Sequence, residues 1–328
     1  MGAWEGKRVL VTGAGGFIGS HLTERLVRLG ARTRAFVHYR GNGSLGWLDR
    51  SEVKRELEVV AGDIRDRDLV TRAMREVEIV FHLAALVGIP YSYHAPASYV
   101  QTNVEGTLNV LQVGVESQIE RLIHTSTSEV YGTARYIPID EAHPLQAQSP
   151  YAASKISADK LVESFGHSYE LPVVTLRPFN TFGPRQSARA VVPTIIMQCL
   201  TSEVVRLGNV SPTRDLNYVG DIVEGFVRAA VAADAVGQTI NLGSGREISI
   251  EELAKTVASL TGKPAVIECD EERTRPAHSE VERLVADNTA ARRVLGWVPS
   301  VPLEEGLRMT MEWVGEHLDG YHPGIYAV

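Results

Sequence analysis

The chain has 328 residues, of which 44% are apolar and 22% are charged, an ordinary composition for a protein with a sizeable core. Its formal net charge of −7 provides no basic footprint for nucleic acid or for an anionic membrane. The chain starts without the apolar core of a signal peptide, has no apolar run that could span a bilayer, and spaces its two cysteines unlike a metal site. We therefore expect a cytoplasmic protein that holds no metal.

Short apolar runs alternate with helical patterns through the first half of the chain. This alternation predicts an α/β fold with a Rossmann-type, doubly wound parallel sheet. After Pro178 the strands shorten and the loops lengthen, so we expect a nucleotide-binding domain over 1–178 and a smaller substrate-binding domain over 179–328. Some later segments should return to the first domain. The predicted strands are 8–12, 33–38, 58–61, 79–83, 121–126 and 171–177, and the main helices are 17–29, 98–116 and 151–169.

A glycine-rich turn joins the first predicted strand to the first helix. Gly13, Gly16 and Gly19 allow a tight turn and a close approach of the backbone to a pyrophosphate. Phe17 and Ile18 open the helix, whose N-terminal N–H groups and dipole favour phosphate oxygens. In this position the turn predicts a dinucleotide site.

The end of the second strand bears on the choice of dinucleotide. A carboxylate that would bind the ribose 2′-hydroxyl of NAD is missing from Val37, His38 and Arg40. A 2′-phosphate is therefore not repelled, and Arg40 or Arg34 could pair with it, which favours NADP slightly. The equal alternative is that Arg40 is a solvated loop residue.

Two further strand ends belong to the same predicted cofactor site. Asp63 could accept a hydrogen bond from the adenine amino group while Ile64 packs on the ring. Leu83 ends the fourth strand and Ala84 and Ala85 follow it, at the carboxyl edge where open α/β sheets bind their ligands.

Catalytic side chains are predicted on the helix 151–169 and at the end of the fifth strand. Tyr151 and Lys155 are four residues apart on one helical face, so the ammonium should lower the pKa of the phenol from about 10 towards neutrality. The phenolate can then take a hydroxyl proton as a hydride leaves for nicotinamide. Thr127 can orient the substrate hydroxyl beside Tyr151, although a Ser/Thr cluster also caps turns.

These motifs together resemble the extended short-chain dehydrogenase/reductases that act on sugar nucleotides, along nearly the whole chain. The resemblance implies tightly bound NAD(P), an NDP-sugar substrate, and a homodimer formed through helices 98–116 and 151–169. It also implies a structural and proton-relay role near the substrate for Asn103 and a diphosphate clamp formed by two arginines. The substrate-binding residues implied are Asn103, Asn180, Arg185, Val192, Arg214 and Arg275.

The segment Thr127-Ser128-Glu129 looks like the Thr-Ser-Glu signature of GDP-mannose-type 4,6-dehydratases. Epimerases of the family usually lack an acid at the place of Glu129, so we expect a 4,6-dehydratase that forms a 4-keto-6-deoxy sugar. Ser128 stands where dTDP-glucose dehydratases have Asp, which leaves the proton donor to the departing water open. Residues 88–94 and 184–190 are similar to NDP-N-acetylglucosamine 4,6-dehydratases of legionaminic-acid pathways. The alternatives are an NDP-sugar 4-epimerase and a cofactor-sensing protein without catalysis.

Overall fold

The computed structural model describes residues 2–263, 266–270, 273 and 276–320. Its strands in chain order are β1 (Arg8–Thr12), β2 (Arg32–His38), β3 (Glu58–Gly62), β4 (Ile79–His82), β5 (Arg121–Thr125), β6 (Val173–Pro178), β7 (Thr181–Phe182), β8 (Val204–Leu207), β9 (Thr213–Arg214), β10 (Asn217–Tyr218), β11 (Thr239–Leu242), β12 (Ile248–Ser249) and β13 (Val266–Cys269). Its α-helices are α1 (Phe17–Arg28), α2 (Arg67–Ala73), α3 (Ile89–His94), α4 (Pro96–Tyr99), α5 (Gly106–Glu116), α6 (Pro150–Tyr169), α7 (Val191–Thr201), α8 (Val219–Val231), α9 (Ile250–Thr261), α10 (Thr289–Leu295) and α11 (Leu303–Glu316).

A parallel sheet with the spatial order β3-β2-β1-β4-β5-β6-β11 forms the centre of the described structure. Val9, Leu10 and Val11 of β1 are at most 1% exposed because helices cover both faces of the sheet. The predicted doubly wound α/β fold is confirmed, and the six predicted strands agree with β1–β6 within two residues at each end.

The predicted helix 98–116 has an irregular interior. It consists of α4, a π-helical turn at Val100–Glu105, and α5. Single π-helical turns inserted into a helix often occur near functional sites. Asn103 lies in this turn, where its side chain reaches the loop that follows β4.

Helix α6 begins at a well-defined N-cap. Ser149 accepts a hydrogen bond from the Ala152 amide at 3.1 Å, and Pro150 occupies the first helical position. This start places Tyr151 in the first turn and Lys155 one turn later, both buried against the ends of the central strands.

Later segments of the chain contribute to two hydrophobic cores. Helix α8, β11 and α10 pack with α1 and the sheet in the first core, where Phe226 and Trp297 are at most 1% exposed. The second core joins α7, α9 and α11. The domain boundary at residue 178 stays a prediction. Within the part of the chain that the structure describes, no helix is long and apolar enough to cross a membrane.

Candidate functional site

The glycine-rich turn packs tightly against the start of the loop after β4. Gly13 has a φ of +71°, and a Cβ added there would lie 2.9 Å from the Ala84 nitrogen. A Cβ at Gly19 would lie 2.2 Å from the Gly13 carbonyl oxygen. Gly16 is the N-cap of α1 and has no side chain to occupy the first N–H groups of the helix. The turn therefore leaves these donors for a phosphate, as a dinucleotide site requires.

A cavity of about 1680 Å³ extends along the carboxyl edge of the sheet. This volume exceeds the roughly 300–1,000 Å³ of an ordinary small-molecule pocket, so it can hold a dinucleotide and a second nucleotide. The residues predicted from the sequence that line it are Gly13, Gly16, Phe17, Ile18, Gly19, His38, Arg40, Asp63, Ile64, Leu83, Ala84, Ala85, Thr127, Ser128, Glu129, Tyr151, Asn180, Val192 and Arg214.

The two arginines predicted near a 2′-phosphate lie in different places. Arg40 lines the cavity and is exposed. Arg34 instead pairs with Glu58 at 2.8 Å and donates to the carbonyl oxygens of Ala73 at 2.7 Å and Arg75 at 2.9 Å. The prediction for Arg34 is therefore wrong, because its guanidinium ties β2 to β3 and to the end of α2.

Asp63 lies at the expected strand end, with its carboxylate already held in place. Arg65 Nε donates to both carboxylate oxygens at 3.0 Å, and the ion pair lowers the pKa of Asp63. Ile64 is buried beside Gly106, at the start of α5, and faces the cavity. The ion pair keeps Asp63 charged and fixes its direction at the cavity wall.

Tyr151 and Lys155 are buried at the centre of the cavity wall. Lys155 Nζ donates to the Thr125 carbonyl at 2.7 Å. Burial raises the pKa of Tyr151, the nearby Thr127 hydroxyl opposes this, and the nearby carboxylate of Glu129 adds to it. The prediction that the pKa of Tyr151 is lowered is therefore wrong when only the side chains of the protein are considered. Burial also lowers the pKa of Lys155 to about 8.

Glu129 lies beside Tyr151 in a short 3₁₀ turn, Ser128–Tyr131. Thr127 Oγ1 accepts the Glu129 amide at 3.2 Å, so Thr127 both caps this turn and faces Tyr151. No described residue bonds to the Glu129 carboxylate, which lines the cavity together with Ser128. A carboxylate in this position can accept a proton from a bound molecule.

Three of the predicted substrate residues of the second half of the chain, Asn180, Val192 and Arg214, line the same cavity. Asn180 Oδ1 is buried and accepts no hydrogen bond from a described residue, as expected of an acceptor that a ligand would satisfy. Val192 lies at the start of α7, and Arg214 pairs with Glu280 at 3.2 Å. Arg275 lies outside the described residues.

Asn103 and Arg185 contact protein groups instead of the cavity. The Asn103 amide accepts from the Leu86 nitrogen at 2.8 Å and donates to Leu86 O at 3.0 Å and Ser154 Oγ at 2.9 Å. Arg185 Nη2 pairs with Glu24 of α1 at 2.9 Å. Substrate binding by these two side chains is therefore a wrong prediction, because protein partners use their polar groups. The structural role predicted for Asn103 agrees with its contacts.

Sequence reasoning missed a polar cluster beneath Lys155. Asp159 receives hydrogen bonds from Ser126 at 2.7 Å and from Arg177 at 3.0 Å, and His124 Nε2 lies 3.2 Å from its other oxygen. Asp159 continues the four-residue spacing of Tyr151 and Lys155, a signal that could have identified it.

Comparisons with known proteins cover almost the whole chain. The model of the GDP-mannose 4,6-dehydratase family matches residues 10–310. A UDP-glucose 4-epimerase of Mycolicibacterium smegmatis is 35% identical, over 93% of this chain and 98% of that protein. A dTDP-glucose 4,6-dehydratase of Xanthomonas campestris pv. campestris is 32% identical, over 93% of this chain and 92% of that protein. The solved structure of DesIV, a dTDP-glucose 4,6-dehydratase from Streptomyces venezuelae with NAD bound, gives a TM-score of 0.85 at 29% identity, over 96% of this chain and 99% of that one.

Proposed function

This chain belongs to the GDP-mannose 4,6-dehydratase family of extended short-chain dehydrogenase/reductases, and we propose that it is an NAD(P)-dependent 4,6-dehydratase of an NDP-hexose. One observation carries the choice of reaction. The Glu129 carboxylate lies in the cavity next to Tyr151 and bonds to no described residue. A 4,6-dehydratase needs such a second base, whereas a 4-epimerase does not.

The proposed cofactor fits the turn between β1 and α1, where the glycines and the uncapped helix start accommodate a pyrophosphate. When bound in its oxidised form, a nicotinamide cofactor would supply a positive charge and a reversible hydride acceptor, so the overall cycle would be redox-neutral. His38 and Arg40 near the cavity rim support a slight preference for NADP.

The first chemical step depends on Tyr151, Lys155 and Thr127. Thr127 holds the C4 hydroxyl beside the phenolic oxygen of Tyr151, which takes the hydroxyl proton as the C4 hydride departs. The Lys155 ammonium favours the phenolate. The product of this step is a 4-ketone, which acidifies the proton on C5.

Glu129 then removes the C5 proton, and the C6 hydroxyl leaves as water after receiving a proton. Hydride return to C6 and proton return to C5 complete the 4-keto-6-deoxy sugar. Ser128 is buried next to Glu129 in the cavity wall, where its hydroxyl can donate a hydrogen bond to the departing water.

The substrate is proposed to be an NDP-N-acetylglucosamine, with UDP ahead of GDP, on the resemblance of residues 88–94 and 184–190. Asn180, with its unsatisfied buried acceptor, and Arg214 support binding of the nucleotide diphosphate. The protein is also proposed to be a cytoplasmic homodimer, paired through 98–116 and α6.

The second candidate is an NDP-sugar 4-epimerase, which is favoured by the 35% identity to the mycobacterial enzyme of that name. The deciding experiment incubates the protein with a panel of NDP-sugars and follows product mass. We expect an NDP-N-acetylglucosamine to lose one water. Turnover of dTDP-glucose alone would overturn the proposed substrate. Inversion at C4 without loss of water would identify an epimerase. Cofactor binding without any turnover would favour a cofactor-sensing protein.

The cofactor preference has its own test. Denaturing the purified protein releases the copurified nucleotide, which mass spectrometry identifies. NADP is the expected main species, and NAD alone would show that Arg40 does not bind a 2′-phosphate.

A further inference from the structure

Five polar side chains are buried behind Tyr151, and hydrogen bonds or ring contacts join four of them, all except Lys155, into a network. They are Lys155 and Asp159 on α6, His82 at the end of β4, His124 on β5 and Arg177 on β6, and none is more than 5% exposed. The carboxylate of Asp159 is the centre of this network. A single carboxylate thus contacts residues from two strands that end beneath the active site.

The hydrogen bonds fix Asp159 from three directions. His124 Nε2 lies 3.2 Å from Oδ1, Ser126 Oγ donates to Oδ2 at 2.7 Å, and Arg177 donates to Oδ2 through Nη2 at 3.0 Å and Nε at 3.3 Å. Arg177 also donates to the Tyr131 hydroxyl at 2.9 Å. The carboxylate is therefore held rigidly and keeps its negative charge.

Lys155 and Asp159 bind to neighbouring positions of the same strand end. Lys155 Nζ donates to the carbonyl oxygen of Thr125 at 2.7 Å, and Asp159 accepts from the hydroxyl of Ser126. One helical turn separates the two side chains on α6, so their charges lie on one helical face.

The charges of the network are unequal. Burial keeps His82 and His124 neutral by lowering their pKa values, His124 to about 4 and His82 well below its ordinary range. Lys155 and Arg177 are the cations, and Asp159 is the carboxylate at the centre. The other titratable groups that face the site are Glu129, Tyr99, Tyr131 and Tyr151. Without Asp159, two buried cations would lack this compensating charge.

We propose that Asp159 is a positioning residue whose negative charge keeps the buried Lys155 side chain in its ammonium form beside Tyr151. This proposal rests on the proposed function, in which the ammonium favours the Tyr151 phenolate. Asp159 acts through Lys155 and through its hydrogen bond with Ser126, whereas its direct effect on Tyr151 is to raise the pKa of the phenol. The opposing effects on Lys155 agree with this, since burial lowers its pKa and Asp159 raises it.

The direct test is the titration of Lys155 by NMR in the holoenzyme labelled with ¹³Cε-lysine. The chain has six lysines, and the spectrum of Lys155→Met identifies the signal. Asp159→Asn should lower the Lys155 midpoint by about 1 to 3 pH units, the usual effect of an adjacent opposite charge. Glu163→Gln, which removes an exposed carboxylate one turn further along α6, should leave it unchanged. An equal midpoint in Asp159→Asn and the wild type overturns the proposal.

The titration of Lys155 in the wild type tests the proposal even if Asp159→Asn does not fold. A Lys155 side chain that is already neutral at pH 7 in the wild type overturns the proposal without any variant. Asp159→Glu, which retains the charge, should titrate nearer to the wild type than Asp159→Asn does.

A kinetic readout separates an electrostatic role from a merely structural one. The rate of C4 oxidation, seen as nicotinamide absorbance, should recover in Asp159→Asn as the pH is lowered and Lys155 regains its proton. If Asp159→Asn lowers the rate of C4 oxidation by the same factor at every pH, the proposal is overturned. C4 oxidation is common to dehydratases and epimerases, and the NMR titration needs no turnover. Absence of wild-type turnover would therefore refute the proposed function while the titration still judges Asp159.

Discussion

At the residue scale, the proposed mechanism assigns the first proton transfer to one hydroxyl, that of Tyr151. The phenol is buried beside Thr127. Because burial and Glu129 raise its pKa, the proposal requires that Lys155 and a bound, oxidised nicotinamide favour its ionisation. On this proposal the tyrosine ionises only when cofactor is bound.

Tyr151→Phe should abolish turnover while the fold and the bound cofactor remain. The substitution removes only the hydroxyl, and loss of a general base typically lowers a rate by about 10² to 10⁴. Steady-state turnover and nucleotide content of the purified variant measure the two effects. Tyr169→Phe, at the exposed far end of the same helix, is the matched control and should behave as wild type. A variant that retains more than a few per cent of the wild-type rate would move the base elsewhere.

Glu129→Gln should separate oxidation at C4 from elimination. The amide keeps the size of the side chain but cannot accept the C5 proton, so elimination should slow by about 10² to 10⁴. Nicotinamide absorbance should appear on mixing with substrate, with little dehydrated product by mass spectrometry. In deuterated solvent the wild type should place deuterium at C5. If both steps fail together and the variant is unstable, Glu129 only supports the turn after β5.

At the element scale, hydrogen bonds and an ion pair hold the loop that follows β7 on helix α1. His21 of α1 lies 3.0 Å from the Pro184 carbonyl, and Arg185 bonds to Ser20 at 3.2 Å and Glu24 at 2.9 Å. The next residues of the loop, 186–190, line the cavity together with the first residues of α7. Contacts outside the cavity therefore set the position of a cavity wall.

Arg185→Ala should lower the free energy of unfolding by about 1 to 3 kcal/mol, because the buried carboxylate of Glu24 loses its close partner. The Michaelis constant for the NDP-sugar should rise modestly through the displaced loop. Denaturant unfolding and steady-state kinetics measure both. Glu24→Gln should reproduce these effects from a residue of α1. A large rise in the Michaelis constant with unchanged stability in Arg185→Ala alone would restore Arg185 as a substrate contact.

The same elements mark how far the sequence predicts this structure. Strands β1–β6 could be predicted because strands buried on both faces are continuous apolar runs between helical patterns. The pairing of Arg185 with Glu24 could not, because 161 residues separate them and no local pattern encodes such a contact. Strand β11 could not be predicted for a related reason. It has only four residues, and it pairs with β6 only because the chain returns to the sheet from the later segments.

At the scale of the whole molecule, segments from the second half of the chain connect the candidate site to the central sheet. Helix α8 packs on the sheet and β11 forms its edge strand, while α7 between β7 and β8 borders the cavity. The cavity walls thus come from distant parts of the chain. Several polar side chains, histidines among them, are buried where these parts meet.

Stability should fall as the pH decreases from 6.5 to 4, because histidines are buried in the neutral form. Burial lowers the pKa of His21 and of His124 to about 4, and that of His82 well below its ordinary value of 6.5. The unfolded chain binds these protons from pH 6.5 downward, whereas the folded protein binds them only near pH 4 or below. The stability they contribute is therefore present above pH 6.5 and is lost towards pH 4. A shift from 6.5 to about 4 corresponds to roughly 3 kcal/mol for one histidine.

His21→Gln isolates one part of this pH dependence. Glutamine can still donate to the Pro184 carbonyl but does not titrate, so the variant should lose roughly 3 kcal/mol less than the wild type between pH 7 and pH 4. Denaturant unfolding at intervals of pH across this range measures the loss. His278→Gln, at an exposed position, should follow the wild-type curve. The pKa of Asp159 is lowered from its ordinary value of 3.8 to about 2. Its protonation therefore changes the stability only below about pH 3.8, outside this pH range. Parallel curves for His21→Gln and the wild type would show that the pKa of His21 is the same in the folded and the unfolded chain, and that burial does not hold this histidine neutral.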